Sequence, residues 1–363
     1  MPRLLIYEEC LAAGTAGPLG DELTAELLIE GQAMAFAFAE DCMLSNGWHV
    51  RVARAAEYRD RWPQQVPWRW LEYMPASDGA LDDWLGRQAA QADLTLLIAP
   101  ECQGILEQRA RAVLAAGGRL LGPDPSWIAL ASDKTATLQR LSEFFVPVPR
   151  GLHGTLSELA AWIGPFPAVL KPNDGVGAAG VWRVTDRTAL LAALQEAAER
   201  FPAQTLWRCE EFLPGQAASV AILAGSVKYD VLLPATQHVE FDEVGNAHYR
   251  GGAFNLTEQQ QERARKLGAK VSRALPRIHG YFGIDLILGE AVDGSQDAVL
   301  EVNPRLTTSY LGLREVCAES LADALLSYRG YHRGSIEWSL DRVEFNEQGI
   351  LSCDGQPYPS KPI

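Results

Sequence analysis

The sequence predicts an α/β N-terminal domain built on an open parallel sheet, followed by an α+β region. Three observations predict this. Short apolar strands alternate with helical segments through the first third of the chain, the pattern of a parallel sheet with crossover helices. Pro123 and Pro125 then interrupt the pattern. Beyond them a strand enters a glycine-rich loop and leaves it as another strand, and two later apolar strands carry acceptor side chains. A length of 363 residues fits two or three domains, at roughly 100–200 residues each.

Residues 3–7 read as the first strand, followed by a loop through Gly14, Gly17 and Gly20. Residues 21–45 read as a long helix with Leu27, Gly31, Met34 and Phe38 on one face, stopped at Asn46-Gly47. A strand over 49–54 follows, then an irregular Trp- and Pro-rich tract over 58–79. A helix over 80–91, a strand over 93–99 apolar enough to be buried on both faces, a helix over 105–116 and a short strand over 119–122 complete a domain placed at 1–123. Ser126 caps a helix expected over 126–142, and Val146-Pro-Val-Pro-Arg150 is extended because each proline restricts its neighbour. Strands over 167–171 and 181–184 flank the loop 174–180; a helix over 187–200 and a strand ending near Phe212 follow. Strands and long loops fill 218–255, then come a helix over 257–275 and strands over 282–288 and 298–302. Alternating residues such as Val343-Glu344-Phe345 suggest a terminal hairpin. The expected subdivision is 124–204, 205–332 and a tail at 333–363.

A net charge of −14 disfavours nucleic acid and anionic membranes as partners. The six cysteines are scattered, with no C-x-x-C pair or zinc-finger spacing, as in a reducing compartment. No secretory leader is visible and no apolar run reaches the ~20 residues that span a bilayer, so the expected location is cytoplasmic.

Gly175, Gly177 and Gly180 satisfy G-x-G-x-x-G within Lys171-Pro-Asn-Asp-Gly-Val-Gly-Ala-Ala-Gly180. A dinucleotide fingerprint needs a helix starting inside the glycines, whereas Val181-Trp-Arg-Val184 is β-type. The motif therefore reads as a strand–loop–strand flap whose backbone N–H groups can cover a triphosphate, with Lys171 supplying a charge for phosphate. An ordinary glycine-rich hairpin is the plain alternative. Asp285 lies in one apolar strand, Glu301 and Asn303 in another. The last two are two residues apart and share a face. A buried carboxylate needs a partner, and Mg²⁺, which takes one or two carboxylates plus substrate phosphates, suits them. Arg305 continues that face and can hold an anionic substrate or the transferring phosphoryl group; a salt-bridged strand pair is the alternative. Cys209-Glu-Glu-Phe-Leu-Pro-Gly215 can serve as a hinge for adenine, with Glu210 accepting from its amine, or is a plain surface strand. Lys134, within the predicted helix, is a second phosphate contact or a solvated lysine.

In this order the elements resemble the ATP-grasp superfamily over about residues 90–325, with a Rossmann-like domain ahead of a two-subdomain ATP-grasp fold. The resemblance implies ATP with two Mg²⁺ ions, Mn²⁺ able to substitute. It places Lys134 and Lys171 on phosphates and residues 174–180, including Gly175, Gly177, Ala178 and Gly180, in the mobile phosphate loop. Glu210, Glu211, Phe212 and Leu213 fall at the adenine hinge, and Asp285, Glu301 and Asn303 at the metal. Glu301-Val-Asn-Pro-Arg-Leu-Thr-Thr-Ser309 and the helix around Glu30-Gly31 are similar to the tyramine–glutamate ligase group of methanofuran and methylofuran biosynthesis. That similarity implies a small-molecule carboxylate and an amine as partners, joined through an acylphosphate, with Arg250, Gly251, Arg305, Thr308 and Ser309 at the substrate, Lys171 and Arg305 catalytic, and a homodimer left open. Two positions depart from the pattern: Ala217 stands where many members have an acidic ribose ligand, with Glu211 the substitute candidate, and Gly283 where some have Arg. Rival readings are another carboxylate–amine, D-alanine or peptide ligase, a carboxylating enzyme, a nucleotide-binding regulatory protein without turnover, and a nicotinamide enzyme resting on the glycine motif alone.

Overall fold

The computed structural model describes the chain except residues 20, 45–46, 62–65, 75–79, 226–227, 319, 328–335, 340–341, 347, 349, 354–355 and 358–363, and gives only backbone at 16, 21–23, 25–26 and 327. Gly20 and Asn46, read above as loop and stop signals, lie outside the described residues. The N-terminal part contains β1 (Arg3–Glu8), α1 (Glu9–Ala13), α2 (Asp21–Leu44), β2 (His49–Ala55), β3 (Arg69–Tyr73), α3 (Ala80–Ala89), β4 (Leu94–Ile98) and α4 (Ile105–Ala115). Its sheet runs β3-β2-β1-β4, all parallel. Every residue of β4 is buried, as its unbroken apolar run requires.

Three local expectations change. The tract read as irregular contains β3, an edge strand of intermediate burial whose Trp-rich sequence shows no clean two-residue period. The strand expected over 119–122 is reduced to a single bridge between Thr95 and Leu120. The segment after β1 is not loop from the outset: Glu8 caps α1, its carboxylate accepting from the amides of Cys10 and Leu11 at 3.3 and 2.7 Å.

Next come α5 (Pro125–Ser132), α6 (Lys134–Glu143), β5 (Gly151–Gly154), α7 (Leu156–Leu159), β6 (Ala168–Pro172), β7 (Trp182–Val184), α8 (Arg187–Arg200) and β8 (Trp207–Glu211). The helix expected over 126–142 is two helices. Asp124 caps the first ahead of Pro125, and Asp133, in extended backbone, breaks the path and caps the second. β5-β8-β6-β7 form an antiparallel sheet, so loop 174–180 joins two antiparallel strands.

The remaining elements are β9 (Gln216–Ala224), β10 (Tyr229–Val231), β11 (Ala235–Phe241), β12 (Ala247–Ala253), α9 (Glu258–Ala274), β13 (Gly280–Leu288), β14 (Ala298–Asn303), α10 (Ser309–Val316), α11 (Leu321–Ser327), β15 (Glu344–Phe345), β16 (Leu351–Cys353) and β17 (Gln356–Pro357). A Thr257/Gln260 capping box starts α9. The large sheet runs β14-β13-β9-β11-β12-β15-β16-β17, with β10 beside β9. The terminal hairpin therefore extends this sheet through β12. One apolar cluster joins β1, β2, β4 and α2 to α10 and α11. In it Met34 and Phe38 of α2 are buried, and Asp41 on the same helix ties to α10 through Tyr310 Oη and Arg314, the latter at 2.8 Å. That packing carries α2 to the edge of the site.

Candidate active site

A cavity of about 460 Å³ lies between the small and large sheets, and its wall also includes Glu30 of α2. An open groove of about 720 Å³ on the other side of α6 has no carboxylate in its lining, so it lacks the acidic ligands that Mg²⁺ takes from a protein.

At one end of the cavity β8 runs into the hinge, where Glu210, Glu211, Phe212 and Leu213 all line the wall. The amide of Phe212 is already engaged by the Pro167 carbonyl at 3.1 Å, and Arg183 lies 4.4 Å over the Phe212 ring. Glu210 differs from expectation. Its two oxygens meet Lys171 Nζ and Arg208 Nε, each at 2.6 Å. All three side chains are buried. Its carboxylate therefore holds the Lys171 ammonium in place and is not aimed outward at a base. Glu211 accepts from the Arg150 amide at 3.0 Å.

The glycine loop divides by role. Gly177 and Ala178 line the cavity, and Gly177 has φ +58°, a conformation glycine adopts without strain. Gly175 and Gly180 lie outside the lining. The Gly175 carbonyl accepts from Lys134 Nζ at 2.6 Å, and a side chain at Gly180 would strike Phe201. Lys134 reaches the loop because it is the first residue of α6. Asn173 docks that helix start, its carbonyl accepting from the Lys134 amide at 3.1 Å and its Oδ1 from Thr135. The signal was present in Asp133 as a cap, though helix-compatible residues on either side obscured it.

In the middle of the cavity β13 and β14 pair so that Asp285 sits opposite Glu301, and Asn303 lines the same wall. Gln237 of β11 and Asn303 donate to the two Asp285 oxygens at 2.8 and 3.0 Å. Gln237 was not anticipated, because it reaches Asp285 only through the pairing of non-consecutive strands. Burial drives the Asp285 carboxyl up and the Glu301 carboxylate pushes it further. Burial acts in the same sense on Glu301, but Lys134 (3.3 Å away) and Lys171 outweigh it and hold Glu301 below its ordinary range. Two abutting carboxylates, one oriented by amides, are an unfavourable buried pair that a divalent cation would relieve. Among the described residues no group of three His, Cys, Asp or Glu clusters for a metal. Two carboxylates and one amide still suit Mg²⁺, which keeps waters and phosphates as its other ligands. The donor set fits the ion.

At the far end are Arg305, Thr307, Thr308, Ser309 and Glu30. Arg305 leaves the strand path and pairs with Glu101, in the turn that follows β4, at 3.0 Å. Burial alone would lower its guanidinium; Glu101 and Glu30 more than offset this. Gly283 has a structural reason here, since a Cβ at that position would lie 2.5 Å from Thr307 Cγ2. The arginine that the resemblance suggests for that position would have no room beside Thr307. Ala217 lines the wall beside Gln216 and Ser219. Arg250 and Gly251 are not brought into the cavity. Arg250 is half exposed on β12 and pairs with Glu240 at 3.2 Å, and Gly251 packs against the backbone of Phe345 and Asn346. Gly251 is taken up by the pairing of β12 with β15 and Arg250 by an exposed ion pair, which the local Tyr-Arg-Gly-Gly sequence does not reveal.

A cavity lined by Lys171, a glycine loop, a hinge and a carboxylate pair, with Lys134 beside that pair, has the groups that suit a nucleoside triphosphate and a divalent cation. Residues 131–309 match the ATP-grasp domain and residues 50–128 the pre ATP-grasp 3 domain. A tyramine–L-glutamate ligase of Methanocaldococcus fervens is 25% identical over 234 residues, covering 64% of this chain and 65% of that protein. A tetrahydromethanopterin:alpha-L-glutamate ligase of Methanocaldococcus jannaschii is 30% identical over 204 residues, covering 56% of this chain and 67% of that protein. The chain thus spans just under two thirds of the first of these relatives. The crystal structure of an L-amino acid ligase from Bacillus licheniformis superposes with a TM-score of 0.66 at 18% identity, covering 95% of this chain and 79% of that one. The chain belongs to the ATP-grasp family. Among the described residues no helix is long and apolar enough to cross a membrane.

Proposed function

We propose that this chain is an ADP-forming carbon–nitrogen ligase that activates a carboxylate with ATP and joins it to an amine, with glutamate as the carboxylate and tyramine, tyrosine or a related amine as acceptor in a methanofuran- or methylofuran-type pathway. The observation that carries the reading is the order of groups along one cavity: hinge at 210–213, Lys171, the Asp285–Glu301 pair with Lys134 paired to Glu301 from outside the lining, then Arg305 with Thr308 and Ser309. The glutamate ligases among the relatives support the substrate class.

Lys171, fixed by Glu210, and Lys134, fixed by Asn173 and the loop, present charge to the phosphates without reorganising. Asp285, Glu301 and Asn303 would hold two Mg²⁺ ions, with Mn²⁺ able to substitute, which would supply charge neutralisation to the triphosphate. Arg305 holds the carboxylate for attack on the γ-phosphate, and Thr308 and Ser309 offer hydroxyl contacts. Loop 174–180 excludes water, which would otherwise hydrolyse the acylphosphate. Arg250 is left out of this scheme because it points away. The test is ADP release and product mass with ATP, Mg²⁺ and a panel of amino acids and amines. ADP and a glutamyl amide are expected with glutamate plus tyramine or tyrosine; no ADP with that pair refutes the substrate assignment.

A further inference from the structure

Five carboxylates line the cavity, and four are occupied. Glu210 is paired with Lys171 and Arg208, Glu211 accepts from the Arg150 amide, and Asp285 and Glu301 form the metal pair. The fifth, Glu30, is at the substrate end. Among the described residues it has no salt-bridge partner, and its one hydrogen bond is accepted from Thr308 Oγ1. Thr308 is itself buried and directly precedes α10. Glu30 is held there by the helix that carries it. Met34, Phe38 and Asp41 follow at helical spacing, Phe38 lies against the Tyr310 ring and Asp41 is clamped by Arg314. The carboxylate is thus a fixed, half-buried anion beside the place where Arg305 would hold the donor.

We infer that Glu30 is the acceptor-amine residue: it binds the ammonium group of the incoming amine and takes its proton. The inference rests on the ligase reading above. An alkylammonium is protonated at neutral pH and has no lone pair to attack with. One N–H proton passes to the Glu30 carboxylate, and the freed lone pair forms the N–C bond. The acyl C–O bond breaks with its electrons going to phosphate, which leaves carrying the second N–H proton. Arg305 and Glu30 then sort the two substrates by charge, the donor carboxylate to the guanidinium and the acceptor ammonium to the carboxylate. Because Glu30 comes from the N-terminal part of the chain, the acceptor site is complete only when α2 is docked on α10.

The experiment compares tyramine with hydroxylamine as acceptor, in the presence of ATP, Mg²⁺ and glutamate. Hydroxylamine is uncharged at neutral pH and needs neither an anion to bind it nor a base. In Glu30→Gln, kcat/KM for tyramine should fall about 100-fold or more, while hydroxamate formation stays within about threefold of wild type. Thr308→Val, which releases the Glu30 carboxylate from its donor, should raise the KM for tyramine about tenfold more than that for hydroxylamine, any lost contact to glutamate weakening both reactions alike. Equal losses with both acceptors, or no loss with tyramine, would overturn the assignment of Glu30 alone. A wild-type chain that forms neither hydroxamate nor ADP with glutamate overturns the ligase reading, and Glu30 with it.

Discussion

Replacing Gly31 with alanine sets two effects of known size against each other. In the interior of a 24-residue helix, alanine is favoured over glycine by about 1 kcal/mol, so helix propensity alone forecasts a more stable protein. The structure forecasts the reverse. A Cβ at Gly31 would lie 2.5 Å from Glu8 Cδ and 3.0 Å from its Cγ. Glu8 has little freedom to retreat, being 3% exposed and bonded to two amides at the start of α1. Overpacking costs about 1–3 kcal/mol and loss of the cap about 1 kcal/mol, so the variant should be less stable by about 1–3 kcal/mol. Urea unfolding followed by tryptophan fluorescence measures the difference. The double variant Glu8→Ala/Gly31→Ala, which removes the carboxylate from the new methyl's path, should be less destabilised than the sum of the two single changes. A Gly31→Ala protein as stable as wild type or more so would refute the reasoning, since it would mean that the Glu8 contact yields freely.

Three further outcomes follow from the same contacts. Burial holds the Glu8 carboxyl at about 8, with Glu9 adding to the shift against the amides of Leu11 and Cys10. The folded protein therefore binds this proton more tightly than the unfolded chain. The stability it contributes is complete below about pH 4.5 and is lost as pH rises through about 8, an effect worth roughly 5 kcal/mol at most. Measured from pH 5 to 8, Glu8→Gln should grow steadily more stable relative to wild type; a constant difference would contradict the shift. Glu210→Gln strips Lys171 and Arg208 of their shared buried anion and should cost about 3–5 kcal/mol. ATP should then raise the melting temperature of the variant more than that of wild type, because phosphate restores the missing charge; an equal rise would argue against Lys171 as a phosphate contact. Gly283→Ala drives a Cβ into Thr307, which hydrogen-bonds Tyr281 Oη and Ser309 Oγ, each at 2.9 Å. The KM for the carboxylate should rise with that for ATP little changed, and a change confined to ATP would misplace the substrate end.

Much of the fold is legible in the chain because its rules are local. The β-type residues after Gly180 make loop 174–180 a hairpin connection and not the start of a helix, as β6 and β7 show. The two-residue spacing of Glu301 and Asn303 puts both on one wall, and the helix over 187–200 coincides with α8, which Asp186 caps. Errors arose where a local signal was weak or overridden. The Asp133 cap was hidden among helix-compatible residues on either side, and β3 was obscured in a Trp-rich tract with no period.

By itself the sequence determined the order of elements, the glycine flap and the acceptor residues that suit a metal, since backbone preference and side-chain alternation act over a few neighbours. Only the tertiary structure decided which charges meet. Glu210 faces Lys171 and Arg208, Arg305 finds Glu101 across the domain boundary, Glu30 comes to Thr308 from the other end of the chain, and Arg250 turns away to Glu240. The physical reason is that a buried charge takes whatever partner strand register and helix packing bring within a few ångströms. Those partners are separated by stretches of sequence over which no local rule reaches.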